Sequence, residues 1–178
     1  MIPTIGRESL QQTIDSIEKW PGDEILVIQH NPPSGRWGNV ERQEGTDKAK
    51  CDYIAYIDDD DIYVRGARAI MNEAIKQNPS LPILFKIKYP SGRVLPRKKW
   101  VKNGNVSTQM ILVPNKKDMF WGWDPYHKWA DFWFIYRWKW DSRQIVWRPE
   151  IIARLGHNDG RYEEALRLEA VAKMEDPS

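Results

Sequence analysis

The chain has 178 residues, a net charge of +2 from 27 Lys+Arg against 25 Asp+Glu, and one cysteine, Cys51. That length suits a single domain with a real core, the near-neutral balance excludes the broad basic footprint of a nucleic-acid binder, and one cysteine excludes both an intrachain disulfide framework and a cysteine-based zinc cluster. No apolar run approaches the roughly 20 residues of a membrane span, and Met1-Ile2-Pro3-Thr4 is too short and polar for a signal peptide, so a cytoplasmic enzyme or binding domain is expected.

A very short first strand ends at Pro3-Thr4. Leu10, Ile14 and Ile17 recur at spacings of four and three, which predicts a helix over Glu8 to Trp20 with one apolar face, stopped by Pro21-Gly22. Glu24 to Ile28 reads as an apolar strand and His30 to Gly35 as the loop behind it. A polar helix is predicted over Gly38 to Lys50, a strand over Asp52 to Ile57 and a clear helix over Val64 to Gln77. This alternation, with strands apolar throughout, predicts an α/β fold with a mostly parallel central sheet flanked by helices. Ligands of such sheets sit beyond the carboxyl ends of the strands, where Asn31 and Asp58 to Asp61 fall.

From Leu81 the pattern changes. Ile83 to Tyr89 and Arg93 to Leu95 flank Pro90-Ser91-Gly92, which predicts a hairpin. Thr108 to Val113 reads as a strand, Lys128 to Lys139 as an aromatic helix, Gln144 to Trp147 as a short strand and Tyr162 to Lys173 as an amphipathic helix. Eight of the ten tryptophans lie between residues 100 and 147. About half of those are expected to fill the core.

Four consecutive aspartates, Asp58 to Asp61, follow the apolar run Tyr53 to Ile57. Close carboxylates repel and raise one another's pKa, and a bound cation removes that conflict. Hard divalent cations such as Mg²⁺ or Mn²⁺ take carboxylate oxygens and share them with substrate phosphates. The alternative is a solvated acidic turn.

Several segments together resemble the GT-A-fold glycosyltransferases, in particular their family 2. Ile2-Pro3-Thr4 matches the first strand of those enzymes, Ser16-Ile17 the end of their first helix, and Glu24 to Ile28 their second strand. Arg42-Gln43-Glu44-Gly45 resembles their Arg-Asn-x-Gly segment, and Ala49 to Asp61 resembles their Asp-x-Asp signature. The match covers residues 2 to 75 well and the rest loosely. The resemblance implies one minimal domain over 1–178, with a nucleotide-sugar-binding half at 1–80 and an acceptor-binding half, partly antiparallel, at 81–178.

By the same resemblance Asp60 holds a divalent cation, Mn²⁺ or Mg²⁺, with His157 completing its shell. Asp58 and Asp59 belong to the nucleotide-sugar site, and Asp61 supports the loop. Pro3, Thr4, Gly6 and Arg7 border the nucleotide. Asn31 stands near a position where the family has an acidic residue that reads the base, and Arg42 lies near the diphosphate or base. Trp129 to Arg137 resembles the family's acceptor-facing helix, which makes Asp131 the base that deprotonates the acceptor, with Asp124 as its rival. Trp121, Trp123 and Asp124 are expected at the acceptor, and Asn105 to Thr108 near the donor sugar.

The implied activity is transfer of a sugar, with inversion, from a UDP- or GDP-linked donor to a saccharide or other hydroxyl acceptor. Nucleic acid is not an expected partner. Arg97-Lys98-Lys99-Trp100 leaves membrane association open. An inactive nucleotide- or carbohydrate-binding module is the alternative, since Ala130 stands where the family has Glu. A nucleotidyltransferase would need a glycine-rich basic loop after the first strand, and only Gly6-Arg7 is present.

Overall fold

In the computed structural model, residues 1–116, 122–142 and 144–156 are described. β1 (Ile2–Thr4) and β2 (Val27–Gln29) pair in parallel, with Ile2 opposite Val27. The Met1 nitrogen donates to the Ala55 carbonyl at 2.9 Å and the Ile57 N–H donates to the Met1 carbonyl at 3.1 Å. Those two bonds set β1 alongside β3 (Tyr53–Ala55) in the same direction. Helices α1 (Leu10–Asp15), α2 (Asn39–Lys48) and α3 (Ala67–Gln77) fall between and after these strands. The alternation read from the sequence therefore holds as far as β3, after which a two-residue strand at Ile62–Tyr63 comes before α3.

α1 is shorter than its apolar periodicity predicts. The Ser16 hydroxyl turns back to the Thr13 carbonyl at 2.7 Å and accepts the Tyr63 N–H at 3.0 Å. A serine bonded this way competes with the helix ladder. Thr13, not Leu10, is the fully buried side chain, and its hydroxyl donates to the Asp61 carbonyl at 2.8 Å.

Beyond α3 the sheet departs from the expected parallel arrangement. β5 (Ile83–Lys88) pairs antiparallel with β6 (Val94–Leu95) along its C-terminal half and with β7 (Ile111–Pro114) along its N-terminal half. β7 in turn lies antiparallel to β3. β8 (Val146–Arg154) runs parallel to β5 and antiparallel to β4 (Ile62–Tyr63). The sheet is therefore mixed, with its parallel part confined to β2, β1, β3 and the β5–β8 pair. The reason is connectivity: no helix crosses over between Ile83 and Pro114, so hairpin and loop connections reverse the chain.

The hairpin at Pro90-Ser91-Gly92 forms as the turn residues predict. The predicted strand at Thr108 starts as a 3₁₀ turn (Thr108–Met110) before β7. β8 is longer than expected, because the chain continues past Pro149 by shifting register against β5 between Leu84 and Lys86 and again before Ile87. Proline has no N–H for the ladder, and a bulge absorbs it. The predicted helix from Tyr162 to Lys173 lies outside the described residues.

Tyr56, Ile57, Phe85, Ile83, Ile87, Ile111 and Ile152 form the fully buried centre. α4 (Ala130–Ser142) packs on it through Phe134, which stacks on Trp123 with centroids 4.4 Å apart and planes at 11°. Tyr56 meets both rings edge-on, at 5.1 and 5.7 Å. Of the tryptophans from residue 100 onward whose side chains are described, Trp123 and Trp138 are buried. No described helix is long and apolar enough to cross a membrane. Phe134→Ala removes the stacked partner of Trp123 and leaves a cavity beside Tyr56. Urea denaturation should show a loss of about 3–5 kcal/mol in unfolding free energy.

Candidate functional site

β3 delivers the four aspartates to the sheet's edge, where the Asp61 N–H bonds the Asp58 carbonyl at 3.2 Å and closes a tight turn. Successive side chains leave that turn in different directions, so each carboxylate meets a different set of donors. Asp59 is buried and turns toward β1: it accepts from the Thr4 hydroxyl at 2.6 Å, the Ile5 N–H at 3.3 Å and Arg7 at 3.0 Å. Asp58 takes a very short bond from Arg42 and one from the Gln109 amide at 2.9 Å. Asp61 is buried and accepts from the same amide at 2.5 Å and from the Gly156 N–H at 2.8 Å. Asp60, more than a third exposed, has Arg7 at 2.5 Å.

Asp58, Asp60 and Asp61 each offer an oxygen to one spot, the three atoms lying within 4.8 Å of one another. Burial pushes the Asp61 carboxyl well above the ordinary aspartate range, and the charges of Asp58 and Asp60 push it further. Burial raises Asp60 also, opposed by Arg7 and reinforced by Asp58 and Asp59. A cluster of carboxylates under this strain fits a hard divalent cation.

Two clefts meet at this cluster. One, of about 320 Å³, is lined by Pro3, Thr4, Arg7, the Pro33–Gly38 loop, Glu41 and Arg42, and it ends on Asp58 to Asp60. The other, of about 610 Å³, runs from Asp58, Asp60 and Asp61 to Tyr89-Pro90-Ser91, Ser107, Gln109 and Gly156. The cluster is thus the shared wall between a groove on the β1–β2 side and one on the β5–β6 side.

Arg42, buried on α2, holds the first cleft to the cluster. One guanidinium nitrogen donates to the Trp37 carbonyl at 2.8 Å and to Asn39 at 3.1 Å, while the other meets Asp58. The guanidinium lies 5.1 Å from the centroid of the Trp123 ring, which gives its face a π partner. Gly38 has φ +72, and a Cβ there would press on Pro3 at 3.1 Å, so the loop enters α2 on a glycine. The segment before α4 docks on the same helix: the Trp123 N–H reaches Gln43 at 2.7 Å and Asn39 reaches the His127 carbonyl at 3.1 Å. A side chain at Gly122 would collide with Gln43.

Asp131 opens α4 and accepts the Phe132 N–H at 2.7 Å. Burial is the main cause of its raised pKa; that N–H and Arg42 oppose the shift, and Asp58 adds to it. The Asp131 carboxyl is therefore within the electrostatic reach of the cluster.

Of the residues picked from the sequence, Pro3, Thr4, Arg7, Arg42, Asp58, Asp59 and Asp60 gather around the first cleft. Gly6 adjoins it with φ +85, where a Cβ would sit 2.8 Å from the Gln29 amide. Asn31 is exposed and stands apart from the residues lining the cleft, which offers the Glu41 carboxylate and the Ser34 hydroxyl instead. Trp123 is 3 % exposed and belongs to the core, so its indole presents no face to an acceptor. Asp124 caps its own turn by accepting the Tyr126 N–H at 2.8 Å. Ser107 lines the second cleft, whereas Asn105 ties its loop to Arg97, Lys98 and Trp100. Trp121 and His157 lie outside the described residues.

Sequence reading missed Gln109, the Gly156 N–H and Asp61's place in the cluster. Gln109 directly follows the polar stretch from Asn105 to Thr108, yet its two bonds reach 51 and 48 residues back. No local pattern signals such a contact.

The sheet and its acidic turn define a fold of the GT-A type. Solved structures match it, among them three of one protein. S. aureus TarS 1-349 aligns with a TM-score of 0.66 at 16% identity, over 99% of this chain and 56% of that one. The same TarS segment in complex with UDP-GlcNAc gives 0.64 at 16%, over 97% and 56%; its complex with UDP gives 0.59 at 17%, over 85% and 49%. The chain thus spans about half the length of these three structures. No protein-family model matches it, and no curated protein does.

Raised carboxyls keep their protons in the folded chain at pH values where the unfolded chain has lost them. Above the ordinary carboxyl values, 3.8 for Asp and 4.5 for Glu, these three groups hold more protons in the folded state, and the stability they contribute falls as pH rises. Carboxyls with lowered values, such as Asp23 and Glu150, act only below that range. The buried Met1 amine, lowered from 8.0 to about 5, acts the other way between those values, so denaturation in chelator from pH 5 to 8 is compared between chains: wild type should lose stability relative to Asp61→Asn as pH rises.

Proposed function

We propose that the chain is a metal-dependent glycosyltransferase of the family 2 type, moving a sugar from a nucleoside-diphosphate sugar to an acceptor hydroxyl with inversion. The observation that carries this reading is the convergence of Asp58, Asp60 and Asp61 on one point at the junction of two clefts. The fold is shared with a protein solved with UDP and with UDP-GlcNAc, which supports a donor of that class.

In this reading the nucleoside lies in the cleft of Pro3, Thr4, Trp37 and Arg42, and the transferred sugar and acceptor lie in the cleft of Tyr89, Ser107 and Gln109. Asp58, Asp60 and Asp61 hold Mn²⁺ or Mg²⁺, with His157, the residue after Gly156, as a further ligand. A bound divalent ion supplies neutralisation of the diphosphate and of the charge on the leaving group. Arg7 borders the same phosphates from the β1 side. Arg42 holds Asp58 in place.

The acceptor oxygen bonds to the anomeric carbon as the bond from that carbon to the β-phosphate oxygen breaks. The departing nucleoside diphosphate takes the electron pair, and the acceptor proton passes to Asp131. A base with a raised pKa holds that proton better. One carboxylate suffices, unlike the pair used in glycoside hydrolysis, because departure of a diphosphate needs no proton.

Titration calorimetry with UDP and GDP, with and without Mn²⁺, tests the reading; no binding of either by the wild-type chain would overturn it. Asp60→Ala should abolish the metal-dependent part of binding. Asp131→Asn should leave binding within about twofold and lower turnover of the donor sugar by about 10²–10⁴-fold. Near-normal turnover would move the base elsewhere, with Asp124 the next candidate. Binding without any transfer would favour the inactive-module alternative.

A further inference from the structure

The loop between β2 and α2 carries a feature that the metal cluster and the proposed base do not use. Trp37 is 56 % exposed, although it is among the largest apolar side chains. It lines the cleft that ends on Asp58 to Asp60. Its backbone has φ +53, a left-handed conformation that is unfavourable for a bulky residue. Such conformations persist where the surroundings over-determine them, and they cluster at ligand clamps.

The surroundings here are specific. The Trp37 carbonyl accepts from Arg42 at 2.8 Å. Gly38, the next residue, is left-handed too and sits against Pro3. On the other side, Arg36 lies over the Tyr126 ring at 5.1 Å. The loop is therefore clamped from α2, from β1 and from the segment before α4. The clamp holds an indole at a cleft wall instead of turning it into the core.

We propose that Trp37 is a stacking wall for the nucleobase of the donor. This rests on the nucleotide-sugar reading of the cleft. The diphosphate belongs at the end of the cleft where Asp58 to Asp60 and Arg7 lie, and the sugar belongs across the cluster beside Gln109. The base then lies toward the wall formed by Trp37, Ser34 and Glu41. An indole offers a π-face that any base can use, and the Ser34 hydroxyl beside it, which donates to the buried Glu41 carboxylate at 3.0 Å, lines the same wall and can accept from a base edge. Because Arg42 bonds both the Trp37 carbonyl and Asp58, the base wall and the cation cluster form one unit.

The test compares Trp37→Asn with Trp37→Phe by titration calorimetry in Mn²⁺, using UDP, GDP and inorganic pyrophosphate as probes. Asparagine tolerates the left-handed backbone, so the fold is kept while the ring is removed. Trp37→Asn should weaken the nucleoside diphosphate by about ten- to a hundredfold, the range of base–aromatic stacking. Pyrophosphate should stay within about twofold, and Trp37→Phe should recover most of the lost affinity. Equal affinity for UDP and GDP in Trp37→Asn and wild type overturns the stacking wall alone. An equal loss for pyrophosphate also overturns it, since Trp37 would then serve only to hold Arg42. Failure of the wild-type chain to bind any of the three overturns the nucleotide reading as well.

Discussion

Mutual repulsion among four adjacent carboxylates is the constraint around which this structure is arranged. Unpaired charge in a half-buried turn is costly, so every element near the turn supplies something to it. β1 and the turn after it give Asp59 the Thr4 hydroxyl, the Ile5 N–H and Arg7. α2 gives Asp58 the Arg42 guanidinium, the 3₁₀ turn before β7 gives Asp58 and Asp61 the Gln109 amide, and the segment after β8 gives Asp61 the Gly156 N–H. Four parts of the chain, far apart in sequence, are fixed to one turn. Asp60 is left nearest to solvent, beside the half-exposed Arg7.

The same donors sort the four residues by role. Three bonds lock Asp59 to β1, so it positions the first cleft and has no free edge for a cation. Asp58 and Asp61 are steadied by one shared amide, which keeps their remaining oxygens close to Asp60. Gln109 suits this because an amide NH₂ has two donors and can serve two acceptors without adding charge. Its own oxygen accepts from Ser107 at 2.7 Å, which fixes the amide's orientation. A lysine there would pair with the carboxylates and compete with a cation for them.

The first half of the fold was legible because its signals are local. Helical spacing, breakers such as Pro21-Gly22 and an apolar run ending in aspartates are all read within a dozen residues. The acidic turn came from such a pattern, whereas Thr4, Arg7 and Arg42 came from the resemblance to the GT-A glycosyltransferases, and all of them gather at one cleft. The antiparallel second half was not legible, because nothing within Ile83–Lys88 or Ile111–Pro114 says which strand will lie beside it. β4 is two residues long and exists through pairing with β8, some 90 residues later. Trp123 misled for a related reason: an indole suited to stacking on sugar is equally suited to stacking on Phe134, and only tertiary packing decides. Trp37 shows the converse, since its exposure and left-handed backbone are invisible in a Gly-Arg-Trp-Gly loop.

Charge counting connects the turn to the clefts. Four aspartates face two guanidinium groups, Arg7 and Arg42, so the turn carries a formal surplus of two negative charges when all four are ionised. Burial raises the Asp60 and Asp61 carboxyls and that surplus raises them further, so without a further cation protonation relieves it. A single divalent ion matches it without protonation. The ion and the Arg7 guanidinium then compete for the same Asp60 oxygens. Arg7 is still held by Asp59 and already lines the first cleft, so it can turn toward a phosphate without leaving its site. Arg42 has no such freedom, being buried and bonded on three sides. One arginine is therefore fitted to keep the turn in shape and the other to exchange partners as ligand charge arrives.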